Sequence, residues 1–481
     1  MRWLFILIGI CWGLTLAQDE AVVLELGFDA QIVNEHWNPL RLTTRDMPDA
    51  TLSITMMQGS LREGDIPVRY EAAIPGRTGV SVFEDDIFVP TWRSFSWVLR
   101  TSTRVLASGS LERRQTGAEP HKPLNLIVSA RPSNWLDTWP RDTRVVTAAA
   151  TDLPERLAAY DGVASILLDG SAPAPSVAAV AAAAAGGANV VLLDPLPDSH
   201  RDLAQLAGSS AAGLGTGNVL LSSERSLRSA LLAPTLQQSD LQASLFSENL
   251  LQTPNYVATT PLLIAASVYA VLCLLLLRFG GAAGLLTGLA VAVLGSLIAW
   301  SWLRPESASA QVQRARSLSI GAGGLSERLE VRALLTLPGG DLELPIRAAP
   351  DSRLTYVQTV DSLSLVAPRW QSLRFYLKPQ LETARLSWQN GALYNDGDTP
   401  LSDVYVFGLG PQDALDAGTS LVPTEREQRE LPEVYNRVLS QLPPGSALAR
   451  DAGKLYAALP NARDNSTRDD TTRDGGAADA P

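Results

Sequence analysis

Apolar and polar positions alternate in short runs along residues 18–115. Leu52, Ile54 and Met56 alternate with polar neighbours, and turn residues such as Pro75-Gly76 separate these runs. A period of two is typical of strands that bury one face and expose the other. Residues 18–115 are therefore predicted to form an Ig-like antiparallel β-sandwich.

The pattern changes between residues 120 and 234, where apolar runs are continuous and helical segments separate them. The predicted buried strands are LNLIVSA from Leu124, RVVTAAA from Arg144, VASILLD from Val163 and ANVVLLD from Ala188. Ser176 to Ala185 and the stretch LPERLAAY are predicted helices. Strands that alternate with helices favour a parallel sheet, so residues 120–234 are predicted to be a doubly wound α/β domain.

Two long uncharged runs follow, at residues 257–277 and 279–303, with only Arg278 between them. The first is about 31 Å long as a helix, enough to cross a bilayer core, so the pair predicts a two-helix transmembrane hairpin. Residues 1–17 have the pattern of a secretory signal peptide that is cleaved after Ala17. Together these features predict an inner-membrane protein of bacteria with its large domains on the exported side.

Small residues recur every fourth position in the second run. They are Gly280, Gly284, Gly288, Ala292 and Ser296. Such a stripe allows another helix backbone to approach closely. It predicts packing against the first span of the same hairpin, or alternatively against a second membrane protein.

Residues 306–460 return to short β-type runs, and residues 461–481 contain the charged repeats RDNST and RDDTT without large apolar side chains. The first stretch is predicted to be a second, C-terminal β-rich sandwich-like domain and the second a disordered tail. The predicted fold class is therefore multidomain. It comprises a β-sandwich, an amidotransferase- or flavodoxin-like α/β domain, a transmembrane hairpin and a C-terminal β-rich domain.

Charge and residue inventory exclude several classes of function. The net charge is −11 and no basic face stands out, so nucleic acid is not an expected partner. The two cysteines, Cys11 and Cys273, both lie in apolar runs, which excludes an internal disulfide in the mature chain and a thiolate zinc site. The three histidines, His36, His121 and His200, are far apart in sequence, so no metal and no cofactor is predicted.

Candidate chemistry concentrates where predicted strands of the α/β domain end. Asp169 and Asp194 each end a strand, and Ser171 follows the first of them. Carboxyl ends of parallel strands meet at one sheet edge, so these side chains are expected near a common crevice. Two carboxylates can bind a cation or act as acid and base, and a serine can be a nucleophile. The alternatives are turn-forming aspartates and a loop-capping serine, because Gly-x-Ser-x-Gly is absent.

Two further features have simpler interpretations. His200 lies beside charged residues after the fourth strand, and a solvated loop position is favoured over a catalytic base. The glycine-rich stretch 213–217 lacks the Lys-Ser/Thr of a phosphate-binding loop, so it is predicted to be a flexible loop.

Three stretches carry a resemblance to a family. LPERLAAYDGVASILLDG, GGANVVLLD and GALYNDGDTPLSDVYVFGLG resemble uncharacterised bacterial membrane proteins with an exported β-sandwich and a class I glutamine amidotransferase-like domain that lacks catalytic residues. Active members of that fold place a cysteine in Gly-x-Cys-x-Gly, with a later histidine and glutamate. Here the loops after the two best-matching strands read Gly-Ser-Ala-Pro and Pro-Leu-Pro, so glutaminase chemistry is excluded.

The resemblance implies a non-enzymatic envelope membrane protein that serves as scaffold or accessory subunit of a membrane complex. Its expected partners are the lipid bilayer and an unidentified membrane protein. The alternative is a sensor that binds a small ligand in the crevice near Asp169 and Asp194. A hydrolase using Ser171 or the paired aspartates is a third, weaker hypothesis.

Overall fold

The computed structural model describes most of the chain between residues 22 and 460. The ranges are 22–60, 64–91, 94–110, 121–207, 211–233, 236, 238–246, 310–322, 325–337, 340–350, 354–367, 372–427 and 430–460, with residues 267–295 described in part. The predicted signal peptide and the predicted disordered tail lie outside these ranges.

Strands dominate the described residues, at 48% against 20% for helices. The strands before residue 111 are β1 (Val22–Leu26), β2 (His36–Met47), β3 (Ala50–Ser60), β4 (Gly64–Ile74), β5 (Arg77–Val89), β6 (Ser94–Arg100) and β7 (Val105–Ser110). Those of the middle region are β8 (Leu124–Val128), β9 (Arg144–Thr147), β10 (Val163–Leu168), β11 (Asn189–Leu193), β12 (Ala211–Leu214) and β13 (Gly217–Ser222).

The remaining strands follow residue 309. They are β14 (Ala310–Ala322), β15 (Leu325–Leu337), β16 (Gly340–Leu344), β17 (Ala348–Pro350), β18 (Tyr356–Thr359), β19 (Leu363–Ala367), β20 (Ser372–Leu377), β21 (Gln380–Thr383), β22 (Leu386–Gln389), β23 (Ala392–Asn395), β24 (Ser402–Val406), β25 (Gly410–Pro411), β26 (Ser420–Leu421), β27 (Ala447–Asp451) and β28 (Lys454–Ala458).

The helices with defined bounds are short. The α-helices are α1 (Val177–Ala185), α2 (Arg201–Ala207), α3 (Leu227–Leu231), α4 (Gln238–Leu245) and α5 (Glu433–Leu439). Short 3-10 helices occur at Pro132–Asn134, Leu136–Thr138, Ala150–Asp152, Leu157–Tyr160 and Asp198–His200. The described residues between 267 and 295 are also helical.

Two facing sheets enclose the first core. One has the order β1-β2-β5 and the other the order β16-β19-β18-β4-β3-β6-β7. The alternation seen in the sequence explains their packing, since Leu52, Ile54 and Met56 of β3 are all buried in this core. Strand β18 pairs in parallel with β4, with Val357 opposite Arg69, so strands β16, β18 and β19 from the C-terminal half of the chain complete the N-terminal sheet.

A six-stranded sheet with the order β12-β13-β11-β10-β8-β9 forms the middle region. Its strands pair in parallel except for β12, which is antiparallel to β13. Both faces of β10 are buried, with Ile166 in one apolar cluster and Leu167 in another, which explains its continuous apolar sequence.

The C-terminal strands form two further sheets. A nine-stranded sheet has the order β17-β20-β15-β14-β28-β27-β24-β25, with β21 beside β15, and a small sheet has the order β22-β23-β26. Helices α4 and α5 pack on the larger sheet, where Leu241 and Tyr435 join one apolar cluster with Leu318 and Leu329.

The predicted fold class is wrong. The protein is mostly β, and the first and last β regions share a sheet through β4 and β18 rather than forming separate sandwiches. A doubly wound α/β domain is not what the middle region forms, because 3-10 helices and loops carry the chain from β8 to β9 and from β9 to β10.

The stretch LPERLAAY shows the physical reason for this difference. It forms only the 3-10 helix Leu157–Tyr160 instead of an α-helix. The Arg156 guanidinium binds Asp86 and Glu84 of β5, and the Tyr160 hydroxyl donates to the Pro154 carbonyl. Tertiary contacts therefore override a local preference for helix.

The predicted transmembrane hairpin and the inner-membrane location that depended on it are also wrong. Residues 257–266 and 296–303 of the two predicted spans lie outside the described residues. In the part of the chain that is described, none of the helices combines the length and apolar character needed to cross a bilayer.

Candidate functional site

The carboxyl edge of the six-stranded sheet is the first place to search for a site. In the sheet, β8 has β9 on one side and β10 on the other. The chain therefore runs from β8 to β9 in one direction across the sheet and then crosses back over β8 to reach β10. In open parallel sheets, ligands bind outside the carboxyl ends of the strands where the order reverses. Ser129 follows β8 at this edge, and Asp169 follows β10.

The Asp169 carboxylate is saturated with hydrogen bonds. Its Oδ1 accepts the backbone N–H of Ser171 at 2.9 Å and also the Ser171 hydroxyl. Its Oδ2 accepts the Ser129 hydroxyl at 2.5 Å and the indole N–H of Trp135 at 2.7 Å. The residue is 7% exposed. These four donors all come from the loops that follow β8 and β10.

The electrostatics of Asp169 follow from these donors. Burial by itself raises the pKa of the carboxyl group, but the bonds from Ser129, Ser171 and Trp135 outweigh it and hold the pKa below its usual range. Asp169 is therefore ionised at neutral pH, and its charge is used to hold the two loops together.

Ser171 belongs to the same hydrogen-bonded cluster as Asp169, Ser129 and Trp135. Besides donating to Asp169, its Oγ accepts the backbone N–H of Ala130 at 3.0 Å and lies 3.2 Å from the Ser129 Oγ. The described hydrogen bonds of Ser171 include none to a histidine. The basic group that Ser171 contacts in its described hydrogen bonds is the Asp169 carboxylate, and its lowered pKa makes it a weak base for activating a nucleophile.

Asp194 is placed differently from the other two predicted residues. It is exposed, and its backbone N–H donates to the Ser222 carbonyl at 2.9 Å. The loop that follows it packs over the β10 loop, where a Cβ on Gly170 would lie 2.3 Å from Pro197 Cδ. The structure thus brings Asp169 and Ser171 together, and among the described contacts none joins Asp194 to them.

His200 is buried rather than solvated, at 2% exposure. Its Nδ1 lies 3.0 Å from the Ser199 Oγ. Burial lowers the pKa of His200 below its usual range, and the negative charge of Asp169 only partly opposes this. The imidazole is therefore neutral at pH 7 and fills space beside the cluster.

The glycine-rich stretch 213–217 forms a tight turn between β12 and β13 instead of a flexible loop. Gly215 has a φ of +59°, and a Cβ there would lie 2.7 Å from the Ala185 carbonyl oxygen. A Cβ on Gly217 would lie 2.4 Å from the Ala184 carbonyl oxygen. Glycine is needed because the turn touches the backbone at the end of α1.

Only part of the predicted small-residue stripe can be placed. Gly280, Ala292 and Ser296 lie outside the described residues. Gly284 is buried and Gly288 is half-buried, yet a Cβ added to Gly288 would meet nothing within 4 Å. No close backbone contact therefore requires a glycine at that position among the described residues.

A buried ionic network is the feature that sequence reasoning missed. Asp86 of β5 is 0% exposed and lies 2.5 Å from the Lys378 ammonium and 3.1 Å from the Arg156 guanidinium. Asp85 is bound by Arg347 and by the Tyr70 hydroxyl. The signal in the sequence was an Asp-Asp pair inside an apolar strand, FEDDIFV.

This network joins three regions that are far apart in the chain. Strand β5 supplies both aspartates, the middle region supplies Arg156, and the C-terminal β region supplies Arg347 and Lys378. Burial lowers the pKa of Lys378, and Asp86 opposes that effect. Paired charges inside the protein make removal of one partner costly, so the network fixes the relative position of the three regions.

No three His, Cys, Asp or Glu side chains in the described part of the chain are close enough to hold a metal ion. Comparison with models of known protein families gave no match, and a search of curated proteins found no similar sequence. The resemblance noted from the sequence therefore stays a prediction.

Proposed function

We propose that this protein is a non-enzymatic binding scaffold that acts as an accessory subunit of a larger assembly. The observation that carries the proposal is that the Asp169 carboxylate is saturated with hydrogen bonds. All its hydrogen-bonding capacity is directed at Ser129, Trp135 and Ser171 of its own loops. Active sites of parallel sheets usually lie at the carboxyl edge of the strands. At that edge in this protein, the Asp169 carboxylate holds two loops together.

The chemistry of the cluster supports this proposal over a hydrolase. A general base must hold a free lone pair within reach of the proton that it removes, with a pKa near the working pH. Asp169 has a pKa below its usual range and four donors already bound. The Ser171 hydroxyl donates to this weakly basic carboxylate, and its oxygen accepts the backbone N–H of Ala130.

The buried ionic network supports the scaffold part of the proposal. Asp86 is fully buried between Arg156 and Lys378, which belong to different regions of the chain. A frame fixed in this way presents surfaces in a constant relative arrangement, and such preorganisation lowers the cost of binding.

The test is a hydrolysis assay on the purified full chain with panels of ester and amide substrates. We expect no turnover above background from the wild-type protein. Ser171→Ala is expected to lower the free energy of unfolding by about 2 kcal/mol, since it removes a hydrogen bond to a charged group. The matched control is Ser133→Ala, at an exposed position of the same sheet edge, and it should leave stability unchanged.

Hydrolysis that disappears in Ser171→Ala and persists in Ser133→Ala would overturn the proposal. An unchanged stability of Ser171→Ala would also contradict it, because the hydroxyl would then contribute nothing to the loop cluster.

A further inference from the structure

Three titratable side chains lie near one another where the three regions of the chain come together. His36 belongs to β2 of the N-terminal region, Asp161 precedes β10 of the middle region, and Glu327 belongs to β15 of the C-terminal region. The His36 Nδ1 lies 3.2 Å from the Asp161 carboxylate, and the charge of Asp161 also acts on Glu327. The three residues, which we call the junction triad, therefore form one electrostatic cluster.

Asp161 binds the N-terminal region through β2. Its Oδ2 accepts the backbone N–H of Trp37 at 3.0 Å and also lies beside the His36 imidazole. Both side chains are mostly buried, and the apolar Val89 of β5 lies opposite His36. Burial lowers the pKa of His36, but Asp161, together with Glu35, outweighs this effect and raises the pKa above 6.5. The strength of this contact therefore depends on the proton of His36.

Glu327 joins the C-terminal region to the turn between β12 and β13. The Thr216 Oγ1 in that turn lies 2.9 Å from the Glu327 Oε2 and 3.1 Å from the Ala185 carbonyl oxygen. A hydroxyl carries one hydrogen, so both contacts are hydrogen bonds only when the Glu327 carboxyl supplies a second one. The Glu327 Oε1 is buried without a hydrogen-bond partner, which is costly for an ionised carboxylate. The geometry therefore requires a proton on Glu327.

The surroundings of Glu327 disfavour a negative charge. Ile320 of β14 and Leu381 of β21 lie opposite it, and helix α1, which also contacts β15, consists only of alanine and valine. The charge that acts on Glu327 within the described part of the chain is the negative charge of Asp161. Burial raises the pKa of Glu327 well above 4.5, the Thr216 contact lowers it, and Asp161 raises it further.

The number of bound protons sets the charge of the junction triad. With His36 and Glu327 protonated, the imidazolium balances the Asp161 carboxylate and the triad is neutral. When both protons leave, two unbalanced carboxylates remain in a mostly buried site. Because buried like charges repel each other and lose hydration, deprotonation favours separation of the elements that carry them.

We propose that the junction triad is a pH-sensitive switch, which holds the middle region against both β regions while His36 and Glu327 are protonated and opens this contact when they lose their protons. The ion pairs of Arg156 with Asp86 and Glu84 tie the middle region to β5 elsewhere, so the opening is local. Both groups act in the same direction, since the pKa of each is higher in the closed state and a rising pH therefore populates the open state. The proposal concerns how the regions are held together and does not depend on the role as a binding scaffold.

The test is hydrogen–deuterium exchange of the full chain at pH 6, 7 and 8, followed by mass spectrometry. The reporters are the peptide with the Trp37 N–H, which bonds across the junction, and the turn 213–217, and the reference is β3 in the first core. After correction for the chemical exchange rate, we expect the opening of the reporters to increase by up to about tenfold per pH unit for each proton lost. At pH 8 the reporters should open more often than β3, which only global unfolding exposes.

Two variants separate the titratable groups. Glu327→Gln cannot ionise, and its amide can donate to Thr216 in place of the carboxyl proton, so opening at pH 8 should fall at least about tenfold below that of wild type. His36→Gln removes the imidazolium and should open the junction already at pH 6. The matched controls are Glu425→Gln and His121→Gln at exposed positions, and both should exchange like wild type.

An opening of the wild-type reporters that stays constant between pH 6 and 8 would overturn the proposal, whether or not the variants fold. So would reporters that open no more often than β3, because global unfolding alone would then expose them. A pH dependence that persists unchanged in both Glu327→Gln and His36→Gln would assign the effect to other groups and would also overturn the proposal.

Discussion

Glu327 offers a sharp test of how burial controls stability in this protein. It lies on β15 with 0% exposure, and its Oε2 accepts the Thr216 hydroxyl at 2.9 Å. Its Oε1 is buried without a hydrogen-bond partner. Burial raises the pKa of Glu327 well above 4.5, against a lowering by Thr216 and with a further increase from the charge of Asp161. The side chain therefore keeps its proton in the folded state.

The pH dependence follows from proton binding in the two states. Above pH 4.5 the unfolded chain releases the proton of Glu327 while the folded chain retains it. The free energy of unfolding then decreases as pH rises, until the pH passes the pKa of the folded state. The slope approaches about 1.4 kcal/mol per pH unit, which is a factor of about ten in the folding equilibrium.

Glu327→Gln tests this reasoning, because glutamine keeps the size and the acceptor for Thr216 but cannot ionise. Urea unfolding of the full chain at pH 5, 6 and 7 gives the free energy of unfolding for variant and wild type. We expect the stability of the variant relative to wild type to increase by about 1 kcal/mol per pH unit over this interval. The exposed Glu343 provides a matched control as Glu343→Gln.

A constant difference between Glu327→Gln and wild type at all three pH values would refute the argument. It would mean that Glu327 titrates alike in the folded and unfolded chains. A pH-dependent stability difference of equal size in Glu343→Gln would mean that the loss of any one negative charge, rather than the burial of Glu327, causes the effect.

Two other predictions use the contacts between regions. The His36 Nδ1 lies 3.2 Å from the Asp161 carboxylate. Burial lowers the pKa of His36, but Asp161 outweighs this effect and raises the pKa above 6.5. The pair therefore stabilises the fold below pH 6.5, and this stabilisation is lost as the pH rises through the raised pKa. An NMR titration of His36 should show this pKa, and Asp161→Asn should lower it. Asp86→Asn should cost about 3–5 kcal/mol in urea unfolding, since it removes the fully buried carboxylate that pairs with both Lys378 and Arg156. A loss below about 1 kcal/mol would contradict the role given to the network.

Local patterns were sufficient to predict individual strands. The alternation at Leu52, Ile54 and Met56 corresponds to β3, whose alternate residues are buried. The apolar runs VASILLD and ANVVLLD correspond to β10 and β11. These predictions succeed because strand periodicity and two-sided burial leave their mark on consecutive residues.

The candidate site was only partly predictable. Asp169 and Ser171 were selected because they follow a strand, and the structure places them in one cluster. Trp135 and Ser129 come from another loop, and nothing in the local sequence pairs them with Asp169. Whether a strand-end carboxylate is free or saturated depends on donors that only the folded chain brings to it.

The sequence by itself determined which segments bury apolar faces, and hence where most strands lie. The tertiary structure decided how those segments combine. Strand β18 pairs with β4, which is far from it in sequence, and Arg156, which was predicted to lie in a helix, pairs with Asp86 of β5. The physical reason is the range of the interactions. Periodicity reflects neighbours a few residues apart, whereas strand pairing and buried ion pairs depend on residues that are distant in sequence and meet only after folding.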